Sequence, residues 1–176
     1  MQLNSTFLVL RLILGFVLVS CGLVLNAQHG KDIKDIGHHS PVTSVEVISE
    51  INFGTFYPGD MGGTIDVDPR GFRTASGSAV LLPMGDIPNP ITMEIVARPA
   101  TMIQIILPRE IILYGAKGGQ ITFIPGPLEF GDVFVTPPDA DRGFTVNIGG
   151  TLEVGTVSEN PPGDYFGAFS FTIVSE

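Results

Sequence analysis

The chain has 176 residues, nine Lys plus Arg against 18 Asp plus Glu, a formal charge of −9 and a single cysteine. An acidic chain without a basic cluster is a poor ligand for nucleic acid or anionic lipid, and one cysteine excludes an intramolecular disulfide framework and any multi-cysteine metal site. The 22 glycines and 14 prolines punctuate apolar runs without forming low-complexity blocks, a pattern of many short strands joined by turns.

The chain opens on a short polar start carrying Arg11, followed by the uncharged run Leu12 to Leu25 and the small-residue boundary Asn26-Ala27-Gln28. This is the layout of a secretory signal peptide over residues 1–27. The run is shorter than the ~20 residues a spanning helix needs, so cleavage is expected rather than a permanent membrane span. Leu18-Val19-Ser20-Cys21 has the form of a bacterial lipobox and offers an alternative, lipidation at Cys21. The continued apolar run Gly22 to Leu25 favours cleavage after Ala27. The expected product is an exported protein of the periplasm, cell surface or medium, with a lipoprotein as the alternative. Loss of Arg11 takes the charge from −9 to −10 and leaves no cysteine. About 150 residues form one domain able to bury a core without staples.

Residues 28–41 (QHGKDIKDIGHHSP) form a polar leader, expected to be flexible. His29, His38 and His39 all lie there, and a metal site wants ligands held on rigid elements. The β domain is expected over 42–176. Val42 to Gly54 reads as an opening strand with Val45 and Val47, then Ile51 and Phe53, turned inward. Tyr57 to Gly63 is turn-rich. In Thr64 to Asp68, Ile65 and Val67 share one face and Asp66 and Asp68 the other. Asp68-Pro69-Arg70-Gly71 is a turn sequence, with proline presetting φ and glycine free to take φ > 0.

Further strands are expected at Ala79–Leu82, Ile91–Val96, Met102–Leu107, Glu110–Tyr114, Gln120–Ile124 and Leu128–Val135, several with β-branched runs that suit a pleated surface. Tyr114 to Gly119 has glycines but neither P-loop spacing nor a following helix, and reads as a hairpin turn. Phe144, Val146 and Ile148 alternate with polar residues. After Gly149-Gly150, Leu152 and Val154 do the same. A last strand is expected over Phe166 to Val174. Phe130, Phe134, Phe144, Phe169 and Phe171 fall into alternating patterns and read as core. Roughly eight to ten short strands imply an all-β, antiparallel, immunoglobulin-like β-sandwich, with a barrel second.

Candidate chemistry is sparse. Asp60, Asp66 and Asp68, with the pair Asp139 and Asp141, are weak calcium candidates: calcium wants six to eight oxygen ligands, the spacing matches no EF-hand loop, and two of these residues sit on a strand face. Tyr165 follows a Pro-Gly turn and suits a corner role, its hydroxyl bonding nearby backbone. No G-x-S-x-G or H-E-x-x-H occurs and no histidine lies beyond the leader, so a histidine-assisted hydrolase is excluded, and no catalytic residue or cofactor is assigned.

Several motifs carry a resemblance. These are the Phe53-Gly54-Thr55-Phe56 opening, Gly62-Gly63 before a valine-bearing strand, the Asp68 to Gly71 turn, Thr74 to Gly77, and Pro162-Gly163-Asp164-Tyr165-Phe166-Gly167-Ala168-Phe169. With them the chain resembles an exported bacterial family catalogued as domain of unknown function 4402. The resemblance covers essentially the whole domain and is least characteristic over residues 83–140. It implies a pilin-like or spore-coat-like sandwich at surface or fimbrial structures, and carries no catalytic residues. The expected function is a non-enzymatic structural or adhesive subunit that pairs with itself or other surface subunits by strand addition. Val42 to Ile51 is the better donor candidate, because Ile33 and Ile36 do not alternate at period two. The alternative is a cell-surface module that binds a glycan or a calcium-dependent partner through the loops around Asp60 and Asp139.

Overall fold

The computed structural model describes residues 41–175. The expected signal peptide, the expected leader before Pro41, Cys21 and the three histidines lie outside them. In chain order the strands are β1 (Val42–Ser49), β2 (Phe56–Tyr57), β3 (Gly63–Val67), β4 (Arg73–Ala75), β5 (Val80–Leu81), β6 (Ile91–Ala97), β7 (Met102–Ile106), β8 (Ile111–Gly115), β9 (Gln120–Leu128), β10 (Val133–Val135), β11 (Phe144–Val154), β12 (Tyr165–Phe166) and β13 (Thr172–Ser175). A 3-10 turn, Ala140–Arg142, is the only helical element among the described residues. The fold is all-β, antiparallel and sandwich-like. The thirteen strands among the described residues exceed the eight to ten expected because several are only two or three residues long.

The larger sheet runs β1-β6-β11-β9-β8-β12, with β3 also on β11 and β4 on β3. A smaller sheet runs β10-β7-β13, and β2-β5 forms a two-stranded ribbon. β11 is the spine. Along one side its first half pairs with β6 (Phe144↔Ile95 to Ile148↔Ile91) and its second half with β3 (Gly150↔Val67 to Val154↔Gly63). Along the other side it pairs with β9, whose register slips by one residue between Ile148↔Leu128 and Gly150↔Pro125. That slip is a β-bulge, which bends and twists the strand that carries it.

Gly149 and Gly150 do not separate two strands, as their position in the sequence suggests. They are where one continuous strand changes partners. A Cβ on Gly149 would meet the Val67 carbonyl, and a Cβ on Gly150 would overlap the Phe123 ring. Glycine serves here for close approach and not as punctuation between strands, which is why the expected break is absent. The expected strand Leu128–Val135 is likewise two pieces. The chain turns at Gly131 (φ +79°), whose amide bonds the Leu128 carbonyl, and re-enters as β10 in the other sheet. The expected final strand is also divided: Phe169 and Phe171 are buried, but only Tyr165–Phe166 and Thr172–Ser175 are paired.

The core lies between the sheets. Ile91, Met93 and Ile95 of β6, Val146, Ile148 and Leu152 of β11, and Phe123 of β9 are sealed from solvent, with Ile103 and Ile105 of β7 sealed in the smaller sheet. Full burial of each such side chain contributes about 1.5–3 kcal/mol. Ile51 and Phe53 are buried, and Val45 and Val47 pack partly against the core. Ile65 and Val67 face in.

Every buried side-chain nitrogen and oxygen among the described residues has a hydrogen-bond partner. The Arg73 guanidinium donates to the carbonyls of Phe53 (2.7 Å), Thr55 (3.1 Å) and Leu82 (3.1 Å), tying the chain on both flanks of the β2-β5 ribbon to β4. Asn160 donates to the Gln120 carbonyl and accepts from the Gly155 amide. Tyr165 is fully buried and its hydroxyl donates to the Pro161 carbonyl at 2.9 Å, the corner role its position suggests. Burial pushes that hydroxyl above the usual tyrosine range, with an Asn160 contact acting the other way.

Gly150→Ala is expected to destabilise the fold by about 2–3 kcal/mol, an overpacking effect, read from chemical denaturation. For Tyr165 the folded state holds the proton more tightly than the unfolded state. Its contribution is therefore intact below the ordinary tyrosine value of about 10 and declines as pH rises beyond it. Tyr165→Phe should cost about 1 kcal/mol at neutral pH for the lost hydrogen bond, and its denaturation midpoint should fall less steeply than that of the parent above about pH 10.

Candidate functional site

The chain reaches one rim of the sandwich where it leaves β10, passes through the 3-10 turn and enters β11. Residues from that crossing and from β6 line an open cleft of ≈ 560 Å³: Phe130, Phe134 and Phe144, the carboxylates of Glu94 and Asp139, and Thr145. The rings form a chain. Phe130 and Phe134 have centroids 5.6 Å apart at 52°, and Phe134 and Phe144 lie 6.1 Å apart, edge to face at 83°. Phe134 and Phe144 are half-buried against the core, but Phe130 is 50% exposed. The expectation that all three are core therefore fails at Phe130, which follows the end of β9 in a turn where alternation does not apply.

Local structure explains how the cleft is held. The Thr136 hydroxyl donates to the Arg98 carbonyl (2.7 Å) and accepts from the Thr101 amide (2.9 Å), fixing the end of β10 to the β6–β7 connection. Ala140 is buried and anchors the 3-10 turn. Gly143 takes φ +93°, and a Cβ there would press on the Glu94 carboxylate, so glycine leaves room for that side chain. Glu94 projects from the outer side of β6, alternating with the buried Met93 and Ile95.

A second recess of ≈ 450 Å³ lies where the ends of β7 and β9 diverge, walled by Ile105, Leu107, Pro125 and Pro127, with Arg109 and Asp132 at its edge.

The five aspartates singled out from the sequence are not gathered into one site. Asp66 accepts from the hydroxyls of Thr151 (2.5 Å) and Thr64 (3.4 Å) on the face of β3 and β11. Asp68 accepts from the amides of Arg70 (2.9 Å) and Phe72 (2.8 Å), holding the β3–β4 turn. Asp60 is exposed in the loop before β3, Asp139 lines the cleft, and Asp141 is in the adjoining 3-10 turn. Among the described residues no group of three or more His, Cys, Asp or Glu is arranged to hold a metal ion. Glu159 accepts from the amide and hydroxyl of Thr156 (2.8 and 2.9 Å), which hold its carboxyl below the usual range and close the turn after β11.

Sequence reading missed Glu94 and the grouping of the three phenylalanines. Glu94 carried a signal, a lone charge in the apolar run Ile91–Ala97. The grouping carried none, because Phe130 and Phe144 are joined only through Phe134, which the path of β10 places between them.

Among the described residues no helix is long and apolar enough to cross a membrane. No curated protein and no solved structure matches the chain. A family model described as domain of unknown function (DUF4402) matches residues 42–174, from the start of β1 to β13. The chain belongs to the DUF4402 family.

Proposed function

We propose that the protein is an exported, non-enzymatic structural subunit of a cell-surface assembly, joined to its neighbours along sheet edges. One observation carries the reading: β1 ends the larger sheet, and at eight residues it is the longest strand with a free side among those described. An exposed edge presents a row of backbone donors and acceptors to an incoming strand. The other ends are short, two residues in β12, three in β10 and four in β13. β1 is also moderated. Its register shifts between Val42 and Ser44 and again between Val47 and Ser49, and Glu46 sits at its centre. Such irregularities limit indiscriminate pairing. Because β1 already fills its own sheet through β6, edge addition onto β1 fits better than donation of β1 to a neighbour. The signal-peptide layout of residues 1–27 supports export, with a lipid anchor at Cys21 as the alternative route to the surface.

A second reading, a surface module that binds a ligand, is favoured by the cleft that Asp139 helps to line. Calcium is a poor occupant, since the two carboxylates there fall well short of six to eight oxygen ligands.

Sedimentation of the purified exported chain tests the first reading. Concentration-dependent oligomers are expected, and Ile48→Lys, which puts a charge on the exposed side of β1, should shift them towards monomer without lowering the melting temperature. A parent chain that stays monomeric at every concentration, in the presence of its own Val42–Ser49 peptide as well, sinks the edge-assembly reading.

A further inference from the structure

We infer that the cleft beside β10 binds a lysine or arginine side chain of a partner protein. The inference rests on the second reading above and names the class of ligand. Three observations converge. First, the cleft offers aromatic faces. Phe130 is half exposed and continues into Phe134 and Phe144, and a cation within about 6 Å of such a ring is attracted by its quadrupole. Second, the charged groups are all acceptors. Glu94 and Asp139 line the cleft, no basic residue does, and among the described residues no hydrogen bond or ion pair engages either carboxylate. Apart from the Thr145 hydroxyl, the polar side chains can only accept. That complements an ammonium or guanidinium, which only donates, and fits a neutral sugar poorly, since its hydroxyls need donors as well.

Third, Glu94 is directly opposite Glu46 of β1 across the sheet, with Thr145 on its other side. Like charges facing each other across a strand pair are destabilising. A cation at Glu94 converts that repulsion into attraction. Gly143 leaves room for the Glu94 carboxylate at the cleft wall, and the excess of acidic over basic residues draws basic partners from a distance.

Isothermal titration of the purified exported chain with tetralysine and tetra-arginine peptides tests this, with tetraglutamine and a neutral tetrasaccharide as comparisons. Binding of the basic peptides alone is expected, weakening as salt is raised. Phe130→Ala should weaken it about threefold or more, and Glu94→Gln should weaken it similarly while raising the melting temperature through relief of Glu46. Glu153→Gln removes the same charge from an exposed site farther along β11 and should change neither. If Glu153→Gln weakens binding as much as Glu94→Gln, the attraction is diffuse and the cleft assignment is overturned. If the tetrasaccharide binds in a Phe130-dependent way and the basic peptides do not, the ligand class is wrong but the ligand-binding reading stands. If nothing binds, both fall.

Discussion

The close approach at Gly149-Gly150 is the constraint on which the rest of the molecule depends. β11 has to serve β6, β3 and β9 at once, and it does so by handing one side from β6 to β3 at these two residues. Side chains there would collide with the Val67 carbonyl and the Phe123 ring. Glycine in a strand interior costs roughly 0.5–1 kcal/mol relative to alanine. The cost is offset because the approach lets Phe123 pack against Phe53 at 5.9 Å and Phe169 at 6.0 Å, joining the first and last segments of the domain through one ring.

The irregular parts of the fold are held by polar groups. The Arg73 fork and Asn160 each bond backbone groups in the segments between strands, the Thr55 carbonyl also accepting from the Leu82 amide. Burial lowers the Arg73 pKa, but a guanidinium in a protein keeps its proton, so its three carbonyl partners are a lasting requirement. The segments around Thr55 and Gly155 are thereby tied to neighbouring strands, and with a single cysteine the chain closes its sandwich without an internal disulfide.

Much of this was legible in the sequence wherever one face of a strand meets the core and the other meets water. Ile65 and Val67, the run Ile91 to Ala97, and Val146 and Ile148 all declare their faces by alternation. The Asp68 turn and the Tyr165 corner were legible because their chemistry is local. What alternation cannot carry is a change of sheet. The stretch Leu128 to Val135 looks like one strand because both halves are apolar, yet Gly131 sends them to different sheets. The cleft was illegible for the same reason, being a product of where β10 crosses.

The position of β11 in the chain has a consequence for how the protein comes into being. β1 is made first, but it has no place until β6 exists, and β6 is anchored by a strand that ends at Val154. A chain emerging from its N-terminus therefore cannot complete the larger sheet until β11 is out, because the non-local pairings that reward loop closure become available only then. Late completion suits the export proposed above, since a chain that crosses a narrow pore has to stay unfolded until it is through.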